Sequence, residues 1–392
     1  MTVKTLDTSH ASLPREVRIL VGARVVDRLG GFTLTFLPLL LVTAYGASLR
    51  TAGLVGAVFG LATIPSRLLG GRLSDRWGRR ATIVLGLAGC AVAQLALASA
   101  PGLAVAFAAA VALGLCFEIY EPPSQALLAD LTPPPQRVAA YSALGAAIAA
   151  AGVVAGLLAA VLAGVGMRWL FVADAVTCLA CATMVRLLLP AGRETRERER
   201  PHASPWRDRR LRLMFGTGTG FATTYMTIMC GLPLALHHDG LAPGWAGGLV
   251  AVSATTVIVG RRLPLSRHVD PFLRMRSGFT WLAGGLALAG AAALSGAGAW
   301  SYVAPVVVWS LGDAVLLGEP LAVVAGLAHG GDRGRYLAAY GVSWGLATTA
   351  APALATGLLV LGGTPVLWGS CAAGALLLAG VQSRVGAAVT EK

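Results

Sequence analysis

Charge is scarce in this chain. Asp, Glu, Lys and Arg make up 12% of its 392 residues while 56% are hydrophobic, against roughly 25% charged in a soluble domain. That deficit excludes a water-facing globule. Lysine is nearly absent, with Lys4 and Lys392 set against a large arginine excess. Polar amides are also few, and no D-x-x-x-D cluster occurs, which excludes a membrane transferase that holds Mg²⁺ on a pyrophosphate. No histidine falls at mid-depth of an apolar run: His237 and His238 lie in an outer loop and His329 near an inner end. A histidine proton relay is therefore without support.

Cysteine offers no chemistry either. Cys90, Cys116, Cys178, Cys181, Cys230 and Cys371 all sit inside apolar segments. Cys178 and Cys181 form C-x-x-C, but a zinc or redox site at lipid depth needs polar partners and access. Neither is visible, so no metal or cofactor is expected.

What remains is long apolar runs, which read as a multi-span membrane protein. Stretches of spanning length centre near residues 32, 60, 90, 113, 151, 178, 223, 253, 284, 312, 347 and 374, which predicts twelve helices. The polar N-terminal stretch carries no cleavable-signal pattern, so the first run is expected to be a true span. Placing the N-terminus in the cytoplasm puts nearly all of the 31 basic residues at the termini and near 70–80, 130–137, 186–212, 261–276 and 332–335. Arg24 and Arg28 sit inside the first span, and Arg50 and Arg168 are left outside. By the positive-inside rule both termini are cytoplasmic. The net charge of +13 is then a topology signal, and nucleic-acid binding is an unnecessary reading of it.

The stretch 190–210 is arginine-rich and lacks an apolar period, which predicts a linker between an N-terminal six-helix bundle (1–189) and a C-terminal one (211–392). The two parts look like repeats. Glu121 and Glu319 each precede a proline, each stands 16 residues before an arginine (Arg137, Arg335), and each arginine is followed by Ala-Ala-Tyr. Parallel six-span repeats are a transporter arrangement, with the substrate path between them.

"GRLSDRWGRR", Gly71 to Arg80, follows the second run. It closely resembles the loop 2–3 signature of the major facilitator superfamily, G-x-L-[SA]-D-R-x-G-R-[RK]. The resemblance implies an all-α fold of twelve transmembrane helices in two pseudo-symmetric bundles. It also implies a conformational latch built from Gly71, Asp75, Arg76, Gly78, Arg79 and Arg80. In the family the Asp braces the two halves in the outward-facing state, and the later Arg pairs with an acid at the end of helix 4, here Asp130. Such a latch biases an inward/outward equilibrium because it exists in one state only. The second-half counterpart after Gly260 keeps basic charge but lacks the Asp-Arg-x-Gly-Arg core.

The resemblance further implies that helices 1, 4, 7 and 10 face a central cavity. Helix 1 carries Arg24, Asp27 and Arg28, spaced to share a face. Helix 4 carries Glu118 and Glu121 at i, i+3, and helix 10 carries Asp313 and Glu319. Helix 7 is rich in Thr and aromatics, Tyr225 among them. Ionisable groups at such depth are costly unless paired or hydrated, so they mark function by default. Asp27, about 15 Å along helix 1 from its inner end, is the foremost candidate to exchange a proton. Asp174, on scaffold helix 6, is expected near the outer face in a pairing role.

Two departures from the family's drug–proton antiporters stand out. The helix 5 signature keeps Gly145, Gly152 and Gly156 but has Val153 where a proline belongs, and helix 4 has glutamates where an arginine is usual. The expectation is proton-coupled export of a small amphipathic compound or drug by a monomer in a bacterial cytoplasmic membrane, its partners being substrate, protons and lipid. The alternative is a proton-coupled importer of a small nutrient. A non-transporting sensor is disfavoured, since nothing resembles a soluble signalling domain.

Overall fold

A computed structural model of the chain describes residues 13–133, 136–190, 205–261, 270–327 and 333–390. Among these residues the fold is all helix, with no strand. Helices α1 (Arg15–Leu29) and α2 (Thr33–Tyr45) form the first span, followed by α3 (Leu49–Trp77) and α4 (Arg79–Ser99). Then come α5 (Leu103–Phe117) and α6 (Glu121–Leu131) in one span, α7 (Arg137–Val165) and α8 (Met167–Leu188). The second part holds α9 (Arg209–His238), α10 (Gly244–Gly260) and α11 (Pro271–Ser295), then α12 (Val303–Leu316) and α13 (Glu319–Leu327) in one span, and α14 (Arg333–Thr390).

Ten stretches are long and apolar enough to cross a membrane, and α10 adds an apolar helix of 17 residues. Helix α14 is two helices joined at Gly362–Gly363, where Gly363 has φ +68°, a left-handed conformation that glycine adopts without strain. Most of the stretch 190–210 lies outside the described residues.

Helix ends follow from local chemistry. Ser48 caps α3 by accepting from the Thr51 N–H at 3.1 Å, and Asp208 caps α9 through the Arg210 N–H at 2.8 Å. Asp270 accepts from Phe272 N–H at 2.7 Å, with Pro271 opening α11. Each cap satisfies an N–H group that the first turn leaves free. Leu54, Leu61 and Leu68 of α3 recur every seven residues and point outward, each more than half exposed. A stripe of that kind belongs against lipid.

Helices α1–α8 pack chiefly on one another, as do α9–α14. Among the described residues the main contacts that join the groups are α3 on α14, α7 on α10, and α2 on α9. All lie toward the ends remote from the arginine-rich loops. A Cβ at Gly60 of α3 would stand 2.6 Å from the Thr348 carbonyl oxygen of α14, and one at Gly156 of α7 2.6 Å from the Ala251 nitrogen of α10. Glycine there lets backbones touch, and the molecule is closed at that end.

Candidate functional site

The two glycines of "GRLSDRWGRR" do different work. Gly78, at φ +85°, is the single residue between α3 and α4, so it makes the tight turn. Gly71 faces open space, and it is Gly70 that meets the Ile119 backbone. Arg79 reaches across to α6, donating to the Ala126 carbonyl at 2.5 Å and pairing with Asp130. Arg80 donates to the Leu189 carbonyl at 2.8 Å. Asp75 and Arg76 are exposed and make no ion pair among the described residues. One arm of the expected latch is thus formed within the first group of helices, and the arm that would cross to the second group is not.

The pocket lies where two spans break. The first span is interrupted by Gly30 and Gly31, whose N–H groups bond back to the Asp27 and Arg28 carbonyls at 3.2 Å each. Glycine is required at the break: a Cβ on Gly30 would lie 2.6 Å from the Asp174 Cα of α8. In the fourth span α5 ends at Phe117, and α6 restarts at Glu121-Pro122-Pro123, because proline lacks the N–H that would continue the ladder. Broken spans of this kind line binding sites in transporters.

These breaks change the expected geometry. Glu118 and Glu121 do not share a face. The Glu118 carboxylate lies 3.9 Å from Arg67 of α3, while Glu121 turns to α1 and lies 2.5 Å from Arg24. Arg24 also pairs with Asp27 at 3.2 Å and lies over the Tyr120 ring at 4.8 Å. Glu121 accepts a second bond from Gln125 at 3.0 Å, and the Tyr120 hydroxyl donates to Asp27 at 3.4 Å.

Around this cluster is a cavity of about 340 Å³, lined by Arg24, Asp27, Arg28, Glu121 and Asp174, with Tyr225, Met226 and Met229 of α9 closing it from the second group. That volume suits a small organic ligand. Of the sequence candidates, Glu118, Asp313 and Glu319 are not in its wall. Asp313 is 1% exposed on α12 and its Oδ1 has no hydrogen-bond partner among the described residues. Glu319 pairs with Arg274 of α11 at 3.0 Å, as helix α13 starts.

Sequence reasoning missed Thr33, Gln94, Tyr120 and Cys178, and it left Asp174 out of the pocket. That carboxyl is buried in the pocket wall and accepts from the Thr33 hydroxyl at 2.8 Å. It has no cationic partner among the described residues, so the expected pairing is not found. The Gly30-Gly31 and Pro122-Pro123 doublets were the available signal, since such pairs mark interrupted spans.

Apolar helices broken in mid-span around a buried charged pocket define a polytopic membrane protein built like a transporter. The sequence profile of the Major Facilitator Superfamily matches residues 22–320, and the chain belongs to that superfamily. It is 32% identical over 130 residues to an uncharacterized MFS-type transporter, YqjV, of Bacillus subtilis, covering 33% of this chain and 32% of that one. It is 26% identical over 246 residues to a probable actinorhodin transporter of Streptomyces coelicolor, covering 61% of this chain and 40% of that one. The matched segments thus span about a third to two fifths of those relatives. Among solved structures, an auto-inhibited POT family peptide transporter superposes with a TM-score of 0.77 at 14% identity, covering 97% of this chain and 98% of that one. A D-xylose-proton symporter gives 0.74 at 13% identity, covering 93% and 96%. These likenesses concern the fold alone.

Proposed function

We propose that the chain is a secondary transporter that exports a small amphipathic compound, cationic or neutral, in exchange for protons by alternating access. The observation that carries this reading is the pocket itself: carboxyl groups gathered at two helix breaks around one buried guanidinium, in a cavity of ligand size. Asp27 is the exchanging carboxyl, with Arg24, Arg28, Glu121 and Tyr225 as its neighbours in the wall. The chain has twelve spans, counting α10 and the two parts of α14, arranged as bundles 1–189 and 211–392 about a linker at 190–210. Both termini are cytoplasmic in a bacterial plasma membrane, and the protein acts as a monomer. With that orientation the closed end faces outward and the state is inward-facing, which agrees with an unengaged Asp75. The Streptomyces coelicolor relative, a probable actinorhodin transporter, supports transport of a small organic molecule.

The test uses inside-out vesicles from cells expressing the full chain, with ethidium as probe. An imposed acid-inside gradient should drive dye accumulation that a protonophore abolishes and that vector-only vesicles lack. No dependence on the gradient overturns proton coupling. Dye movement only in the opposite direction favours the importer.

A further inference from the structure

Asp174 is buried, 4% exposed, at the meeting of α8 with the broken turn of the first span. The cavity wall it belongs to also carries Asp27, Arg24 and Arg28 from α1, Cys90 and Gln94 from α4, Tyr120 and Glu121 from the fourth-span break, and Tyr225 from α9. α2 offers Thr33, and α7 offers only the apolar Ile148. The charges in this ring do not balance at Asp174. Arg24 is committed to Asp27 and Glu121, and the guanidinium of Arg28 lies over Gly31 on the exposed side. A buried carboxylate without a cation is expensive.

Its remaining partners are poised for a proton. The Cys178 thiol is 3.8 Å from Asp174 Oδ1 and 3.7 Å from Asp27 Oδ1. A thiol has one hydrogen for two acceptors, so it can favour whichever carboxyl is ionised. Thr33 donates to Asp174 and accepts from Gln94 Nε2 at 3.3 Å. Gln94 Oε1, 1% exposed in the pocket wall, has no donor among the described residues. An orphan acceptor there leaves the network one hydrogen short.

We infer that Asp174 is a second proton-binding carboxyl of this pocket, coupled to Asp27 through the Cys178 thiol. The step is protonation alone: the carboxylate takes a proton that enters the pocket, and the thiol hydrogen turns to the carboxyl still ionised. The inference rests on the reading that this pocket exchanges protons. It adds that the proton load is shared between a cavity helix and a helix the family pattern would leave as scaffold.

The test is infrared difference spectroscopy of the purified full chain as pH is lowered, with the proton as the only ligand. Wild type should gain two carboxylic C=O bands that shift in deuterated water. Asp174→Asn should lose one band and shift the other, while Asp27→Asn loses the complementary band. The Cys178 S–H band should move in step with both. Asp174→Glu keeps a carboxyl at the site and Cys178→Ala keeps both groups, so these variants serve if the amide variant folds poorly. Each should displace the Asp174 band without deleting it. An Asp174→Asn spectrum identical to wild type overturns the proposal, as does a band that sodium ions remove at constant pH. Loss of a band in Asp174→Asn with no change in Asp27→Asn upholds Asp174 and overturns the role given to Asp27.

Discussion

Arg24 Nη2 stands 2.5 Å from Glu121 Oε2, and that bond ties the break in the first span to the break in the fourth. Both groups are largely shielded from solvent, where a misplaced charge has little water to turn to. Removing one partner of such a pair costs about 3–5 kcal/mol, because the other stays buried and unpaired. Arg24→Met should therefore lower the thermal midpoint sharply. The double variant Arg24→Met with Glu121→Leu should recover part of the loss, since it removes both charges of this pair while Asp27 stays without its cation. Thermal denaturation of the four proteins in a double-mutant cycle checks this. A double variant as unstable as the sum of the singles would mean the pair is not coupled.

The Arg79–Asp130 pair is of another kind. Asp130 is about half exposed, so the pair itself is worth at most about 1 kcal/mol, and the proposed latch gives it a conformational role. Arg79→Asp should slow turnover, and adding Asp130→Arg should restore part of it. Asp75 is exposed and unpaired in this state, so Asp75→Asn should change stability by no more than about 0.5 kcal/mol. If Asp75 braces the opposite state, as the proposed latch has it, the variant should also raise the share of molecules in this state. Spin labels at Arg72 and Arg384 would report that shift, and an unchanged distance distribution would remove Asp75 from the latch.

Gly60 gives a steric handle on the same equilibrium. Its Cβ would meet the Thr348 carbonyl oxygen at 2.6 Å, closer than side-chain carbons approach backbone oxygen. Gly60→Leu should push α3 from α14 and open the closed end. Labels at Arg50 and Leu361 should separate, and the bound-probe population should move with them. Labels that stay at the wild-type distance would show that this contact does not hold the end closed.

How much of this was legible in the residues varies with the kind of signal. Composition and the arginine distribution pointed to a multi-span chain, and the ten-residue loop signature pointed to its family. The Arg79–Asp130 contact followed from the same signature. The pocket was half legible. Arg24, Asp27 and Arg28 share a face on an unbroken helix, and they remain together because the break falls after them, at Gly30. Glu118 and Glu121 were paired by the same spacing rule, yet the prolines at 122 and 123 interrupt the helix between them and send each to a different partner. Asp174 was illegible for a further reason. Span α8 is apolar on most sides, so sequence gives no register for which side meets the core. A glycine 144 positions earlier, Gly30, decides it by admitting α8 close enough to bury the carboxyl.

The remaining prediction concerns Asp27 in transport. Asp27→Asn copies the protonated carboxyl in shape and cannot release a proton. If Asp27 exchanges the proton, the variant should lose gradient-driven ethidium transport in inside-out vesicles while still binding the dye. That binding should lose most of its pH dependence. A structural role predicts otherwise. Arg24 keeps Glu121 at 2.5 Å when Asp27 is neutral, so the guanidinium is not left alone, and the loss of stability should stay near 1–3 kcal/mol. Thermal midpoint and vesicle transport measured on one preparation separate the two. A variant that melts within a degree or two of wild type and transports nothing assigns the proton to Asp27. A variant that melts normally and still moves ethidium uphill would take Asp27 out of the mechanism and leave Asp174 and Glu121 as the carboxyls able to replace it.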